Sequence, residues 1–335
     1  MVVIMKTIAL TMGDPAGIGP EIIAAAWEQL QAIPDCRCVV YGHPEIMQRA
    51  AALRKVQAKI DCLKCCSDDA LDVSPGTIDV CAGHAAYSAI CRAIDDAKKN
   101  EVDAVVTAPI HKAALRRAGY HYPGHTEIFA EQCGVKNYAM MLYLGAGASL
   151  DCPYGLAVVH VTLHTAMKAI FEQITTESVL AKIRLANEFM QKIIGDSNRP
   201  PRIGVCSLNP HAGEGGLFGD EEIRIVRPAV QQATAEGMLV EGPKPADTIM
   251  IDAGNGEYDA VVAMFHDQGH IALKLLGMYR AVNITLGLPI IRTSVAHGTA
   301  FDRAWRGIAE PGSLIEAVRV AVLLSSQQGN QPSPQ

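Results

Sequence analysis

The 335 residues are 49% hydrophobic and 19% charged, enough to bury one large core or two ordinary ones and too apolar for a disordered segment. A formal charge of −6, with lysines and arginines scattered along the chain, gives no basic stripe for a nucleic-acid backbone. No window approaches the roughly 18 uncharged apolar residues a membrane span requires, and the apolar start is too short for a secretory signal, so the expectation is a cytoplasmic protein with no membrane partner.

Met5 makes as good a start as Met1, which leaves residues 1–4 as a frayed end. A strand is expected over Thr7 to Thr11, then a helix from about Pro20, a strand over Cys38 to Tyr41, and another helix. A helix near Ala82 to Lys98 leads into a strand at Val102 to Val106. The alternation resumes with strands at Tyr138 to Leu144 and Gly155 to Val161, then a long helix around Glu177 to Ile194. After it come a strand at Ile203 to Leu208, a helix from about Glu221 to Gly237, and a strand at Ala260 to Met264. Strands alternating with helices predict an α/β fold in two lobes, each with a largely parallel, covered sheet. Tyr122 to Gly124, Asn198 to Pro201 and Pro243 to Pro245 read as loops, and Ser325 to Gln335 as a disordered tail.

Ten cysteines in a chain this long imply reduced thiols, not a disulfide framework. Cys62, Cys65 and Cys66, with Cys36 and Cys38 upstream, carry the residue type for zinc, but no paired C-x-x-C stands at finger-like spacing. The loop Gly13-Asp-Pro-Ala-Gly-Ile-Gly19 sits between a strand and a helix, where free backbone N–H groups suit an anion. Its spacing matches neither the dinucleotide fingerprint nor the P-loop, which leaves a ligand loop and a purely structural turn both open.

Three histidines are more informative. His164, His211 and His266 each follow an apolar, strand-like run, and residues just past the carboxyl ends of strands in such sheets converge on one crevice. Three imidazoles there could form an open metal site with positions left for substrate oxygens. Lys274, Asn283 and Arg292 follow at intervals that could bring them to the same mouth. His125 and Thr126 stand at an expected helix start. Arg292 lies between Pro289-Ile-Ile and Thr293-Ser, an apolar setting in which an idle charge would be costly, so this group reads as phosphate or carboxylate recognition.

The string His297-Gly-Thr-Ala-Phe-Asp302 resembles the His-Gly-Ser-Ala-Pro-Asp loop that holds the adenosine part of NAD in isopropylmalate and isocitrate dehydrogenases. From about Thr7 to Leu324 the chain resembles the 4-hydroxythreonine-4-phosphate dehydrogenase family. The motifs that carry this are Gly13 to Glu21, Thr107-Ala-Pro, Gly124 to Glu127, Asn209 to Glu214, Leu217 to Glu222, Pro245 to Thr248, His266 to Gly269 and Val282 to Pro289. The resemblance implies an isopropylmalate/isocitrate dehydrogenase-like fold with the active-site cleft between the lobes. Residues 1–125 plus 285–335 would form a discontinuous domain with the cofactor loop, and 126–284 a second domain with the metal ligands and the dimer contacts.

The same resemblance implies a homodimer whose metal, held by His164, His211 and His266, draws ligands from both subunits. It implies substrate binding by His125, Thr126, Lys274, Asn283 and Arg292, and NAD or NADP held by His297, Gly298, Thr299, Ala300 and Asp302. Three imidazoles favour zinc or another transition ion such as cobalt, with magnesium or manganese possible where substrate oxygens complete the shell. The expected chemistry is metal-assisted oxidation of a hydroxyl in a small phosphorylated hydroxy acid, by hydride transfer to the nicotinamide, followed by decarboxylation. Lys274 and Asp267 are the candidates for the proton acceptor, and Asp267 could equally orient a metal-bound histidine. Ala296, His270 and Ala304-Trp305 look more like a paralogous branch acting on D-threonate or D-erythronate 4-phosphate. The rival readings are a metal-dependent phosphohydrolase and a non-catalytic sensor of phosphorylated metabolites.

Overall fold

The computed structural model describes residues 5–147, 150–195, 199–277 and 280–328. Residues 1–4 of the expected frayed end, Asn198 of one expected loop and residues 329–335 of the expected tail lie outside the described residues. The chain divides into two compact units, Met1–Lys136 with Leu288–Gln335, and Asn137–Gly287.

Unit 1 contains β1 (Lys6–Thr11), α1 (Gly19–Gln31), β2 (Cys36–Gly42), α2 (Pro44–Leu53), β3 (Cys62–Lys64), α3 (Val80–Lys98), β4 (Ala104–Thr107), α4 (Lys112–Arg117) and α5 (His125–Gln132). Within unit 2 run β5 (Ala139–Leu144), β6 (Leu156–His160), α6 (Ile170–Gln173), α7 (Thr176–Ile194), β7 (Arg202–Cys206), α8 (Arg227–Ala235), β8 (Leu239–Lys244), α9 (Ala246–Gly254), β9 (Ala260–Ala263), α10 (His266–Gly277) and β10 (Ala281–Leu286). The chain returns to unit 1 for β11 (Ile291–Val295) and α11 (Gly312–Gln328).

The strands of unit 1 lie in the order β3-β2-β1-β4-β11, every pair parallel. Parallel strands are covered on both faces, which is why Ile8-Ala-Leu10 of β1 and Ala104-Val-Val106 of β4 are consecutive apolar residues, all buried. One face packs on α1, whose Ile22, Ile23, Ala26, Trp27 and Leu30 recur at helical spacing and are all buried. Truncating the fully buried Trp27 would cost about 3–5 kcal/mol. On the other face, α3 begins at the Asp79 cap and contributes Ala89, Ile90, Ala93 and Ile94 to a core shared with Leu115, Ile128 and Phe129. That core anchors α5 by its buried middle, so the residues at its first turn are held in place.

In unit 2 the order is β10-β5-β6-β9-β7-β8. Strand β5 runs antiparallel to both neighbours, while β6, β9, β7 and β8 are parallel. The long helix α7 opens on a Thr175–Ser178 capping box and ends at Gly195, where φ is 63°. The helix expected from Glu221 contains a π-helical turn at Glu222–Val226 before α8. Pro228 lacks an N–H and its ring crowds the carbonyl four residues back, which opens that turn. At the other end of the chain, α11 reaches Gln328 and overrides the expected tail at Ser325, which is 1% exposed and donates its hydroxyl to the Ala321 carbonyl at 2.7 Å.

Candidate functional site

Unit 1 brings Arg292 and His125 close to one another. Arg292 lies mid-strand on β11 opposite Val105 and is 2% exposed. It donates to the Thr107 hydroxyl at 2.6 Å, and its guanidinium lies 5.5 Å from the centre of the Phe129 ring. Burial presses the guanidinium down to about 9, against the supporting charge of Glu127, so it remains a cation at neutral pH. The first turn of α5 has Gly124 at its cap and no side chain satisfying its amides.

His125 opens that turn, and burial, then the Arg292 charge, hold its ring well below the usual histidine range. The Ala108 carbonyl bonds the ring from one side while Nε2 is buried without a hydrogen-bond partner. Thr126 follows on the same turn. Amides, hydroxyls and one buried guanidinium are a donor set that could hold a compact anion.

Unit 2 assembles a histidine cluster. Strands β6, β9 and β7 are adjacent and parallel, so their carboxyl ends lie side by side. His164, beyond β6, and His266, first residue of α10 beyond β9, have ring centres 5.9 Å apart. His266 Nδ1 is held by Asp267 Oδ1 at 2.7 Å, which leaves Nε2 as the free ligand position. His270, one turn along α10, stacks on His266 at 3.8 Å, and its Nδ1 lies 3.1 Å from His160 Nε2. Burial, then neighbouring histidines, push His160 down to about 3 and His270 to about 4, so both rings are neutral. His160 was not singled out from sequence, although Val159-His-Val-Thr-Leu-His164 carries the two rings four residues apart.

His211 stands apart from that cluster. It follows β7 but lies on a left-handed run, His211 to Gly215, in which every φ is positive. Its side chain is 74% exposed and sits 3.4 Å from Glu214. Among the described residues, no set of three histidines, cysteines or acids in a single chain is placed to hold a metal. The trio expected to converge is thus divided, because the left-handed arm carries His211 outward. A pair of neutral-capable imidazoles with an oriented Nε2 still fits half of a divalent-metal site, with the third ligand supplied from elsewhere. Lys274 lies eight residues along α10 from His266, and Asn283 lies on β10 with Oδ1 buried and without a partner.

The His297–Asp302 loop follows β11 in unit 1. Ile18 donates its amide to the Thr299 carbonyl at 3.1 Å, and Phe301 stacks on His111 at 4.5 Å. Ala300 has φ 41°, a left-handed conformation that a side chain tolerates poorly. A Cβ on Gly298 would meet nothing within 4 Å, and Asp302 is 80% exposed, so the tip is open to a ligand. Burial lowers His297 below the ordinary imidazole range, opposed by the Gly298 carbonyl. The glycine loop beneath it is a structural turn. The amides of Asp14, Ala16, Gly17 and Ile18 bond Pro109 O, Asp14 Oδ1, Asp14 O and Thr299 O, which leaves none of these four for an anion.

The cysteines are all free, and no described helix is long and apolar enough to cross a membrane.

Several known proteins resemble the chain over its length. A D-threonate 4-phosphate dehydrogenase from Pectobacterium atrosepticum is 43% identical over 96% of this chain and 99% of its own. A 4-hydroxythreonine-4-phosphate dehydrogenase from Beijerinckia indica is 44% identical over 97% and 96%. The crystal structure of a Klebsiella pneumoniae 4-hydroxythreonine-4-phosphate dehydrogenase aligns with a TM-score of 0.81 at 41% identity, over 96% of this chain and 99% of that one. A β-decarboxylating dehydrogenase from Thermococcus kodakarensis, at 18% identity and a TM-score of 0.55, shares the fold. The model of the family described as pyridoxal phosphate biosynthetic protein PdxA matches residues 34–321, and with these full-length relatives it establishes that the chain belongs to the PdxA family.

Proposed function

We propose that the chain is a nicotinamide-dependent, metal-assisted dehydrogenase of a four-carbon 4-phosphate hydroxy acid, oxidising and then decarboxylating it. The observation that carries the reading is the His164–His266 pair with Asp267 fixing the second ring, past the ends of two adjacent strands. A divalent metal held by these histidines, with His211 from a second copy, would supply Lewis-acid polarisation of the reacting hydroxyl. Arg292, the α5 amides, His125 and Thr126 would hold the phosphate, with Asn283 and Lys274 completing the substrate contacts. His297, Gly298, Thr299, Ala300 and Asp302 would hold NAD, the exposed Asp302 carboxylate favouring ribose hydroxyls over a 2′-phosphate. Asp267 is engaged with His266, which supports an orienting role and leaves Lys274 as the stronger candidate to accept the hydroxyl proton.

The substrates named for the relatives are 4-hydroxythreonine 4-phosphate and, as the alternative, D-threonate 4-phosphate, to which D-erythronate 4-phosphate is chemically close. His270, a residue that resembles the second class, lies against His266 with its Nδ1 3.1 Å from His160 Nε2, which supports that class. The deciding experiment is nicotinamide reduction by the purified protein with a divalent metal on each substrate. Turnover of any of them supports the dehydrogenase, and the preferred one fixes the branch. Phosphate release without nicotinamide reduction would replace it with a hydrolase. His211→Ala is expected to abolish turnover with little change in melting temperature, and full activity in that variant would remove the metal reading.

The shared site also requires a homodimer. Ile251, Ile271 and Leu275 on α9 and α10 are 64%, 58% and 83% exposed, and line an apolar groove of about 590 Å³ that a second copy would cover.

A further inference from the structure

Beyond its tip, the loop that follows β11 continues through Arg303 to Ala309 before α11, and this outgoing limb is pinned at three points within unit 1. The Trp305 indole donates to the Pro15 carbonyl at 2.8 Å, with the Trp305 backbone at φ 59°. Arg54, the residue that closes α2, donates through one nitrogen to the Gly307 carbonyl at 2.6 Å and the Ala309 carbonyl at 3.3 Å. Glu21, in the first turn of α1, accepts the Ala309 amide at 2.8 Å and Arg54 at 3.3 Å. Its side chain is fully buried, and its second oxygen has no hydrogen-bond partner.

A buried carboxylate paired to an arginine contributes little net stability over an apolar pair. What this one does is geometric. It fixes the stem of a loop whose tip residues Asp302 and Arg303 remain 80% and 64% exposed. Left-handed backbone at Ala300 and Trp305 persists only where surrounding contacts over-determine it. We infer that Glu21 and Arg54 are positioning residues for dinucleotide binding, holding the outgoing limb so that the 297–302 loop is shaped before the cofactor arrives. The inference rests on reading that loop as the cofactor loop. A ligand loop ordered in advance does not lose its own freedom on binding, and the saving appears as affinity.

The test is direct NAD binding to the full chain, read by calorimetry and by quenching of Trp305 fluorescence against a Trp305→Phe background. Arg54→Ala is expected to weaken NAD about tenfold, with Arg54→Lys recovering most of the loss because it keeps a donor for the carbonyls. Binding of the phosphorylated substrate should not change in either variant. Glu21→Gln, which keeps an acceptor for the Ala309 amide but loses the ion pair, should fall between them. Unchanged NAD binding in Arg54→Ala, with weakened binding in Asp302→Ala, would overturn the brace and leave the cofactor loop standing. No change in either variant would remove the loop reading and the brace with it. Equal weakening of NAD and substrate with a lowered melting temperature would reduce the pair to general structural support and overturn the inference.

Discussion

Asp14 shows how one residue in the glycine loop carries a cost that the rest of the loop needs. Its carboxylate accepts the Ala16 amide at 2.8 Å and is fully buried. Burial, aided by the charge of Asp79 and opposed by the Ala16 and His111 amides, lifts it from 3.8 to about 6. The folded chain therefore binds this proton more tightly than the unfolded chain. The stability it contributes is complete below about pH 4 and is lost as pH rises through about 6. Asp14→Asn keeps an acceptor for Ala16 without the buried charge, so it should be more stable than the parent at about pH 8, by at most roughly 2–3 kcal/mol. Urea unfolding should show that gain shrinking to nothing near pH 4. A gain that is the same at both pH values would mean that Asp14 is not titrating. At this scale the sequence was readable where chemistry conflicts with surroundings: Arg292 stood out because an idle charge among apolar residues is expensive. His160 did not, since its bond to His270 spans 110 positions and no local pattern announces it.

Strands and helices were legible where burial is uniform. The runs at β1, β4, β6 and β9 are apolar at their centres, with polar residues confined to the strand ends, because helices cover both faces of those strands. Strands β10 and β11 escaped the same reading because Asn283, Thr285, Arg292, Thr293 and Ser294 interrupt them with polar side chains, two of which, Asn283 and Arg292, are candidate site residues. Strand β8 was missed for another reason: it lies at one end of its sheet order with no buried residue, and Gly242-Pro243 interrupts it. The left-handed arm was equally invisible as backbone. It is held by Glu222, which is 1% exposed and accepts the Leu208 amide at 2.8 Å, the Asn209 amide at 2.7 Å and the Asn209 side chain at 3.0 Å. Glu222→Gln loses the charge behind those three bonds and leaves the strained run less determined, at about 2 kcal/mol. Thermal melts should record a modest fall, and metal content per chain a larger one, because His211 is displayed on that arm. Normal metal content in a destabilised variant would separate the arm from metal binding.

For the whole molecule, the division of the histidines is the strongest reason to expect more than one copy. His164 and His266 lie together, His211 points outward from the same unit, and no described three-ligand set forms in one chain. An exposed arm bearing the candidate ligand His211, with Leu217 73% and Phe218 50% exposed beside it, suits insertion into a second subunit. The apolar face of α9 and α10 in the same unit supplies a surface for association, since an exposed patch of this kind marks a contact more often than it stands free. Leu275→Asp with Ile271→Asp places two charges on that face and leaves the buried side of α10, which includes Leu273, untouched. The double variant is expected to sediment as a monomer with near-normal helical content and to lose both bound metal and turnover. An active monomer would show that the site is complete in one chain and would return His211 to the surface as a bystander. A variant that stays dimeric would move the association face elsewhere on the chain.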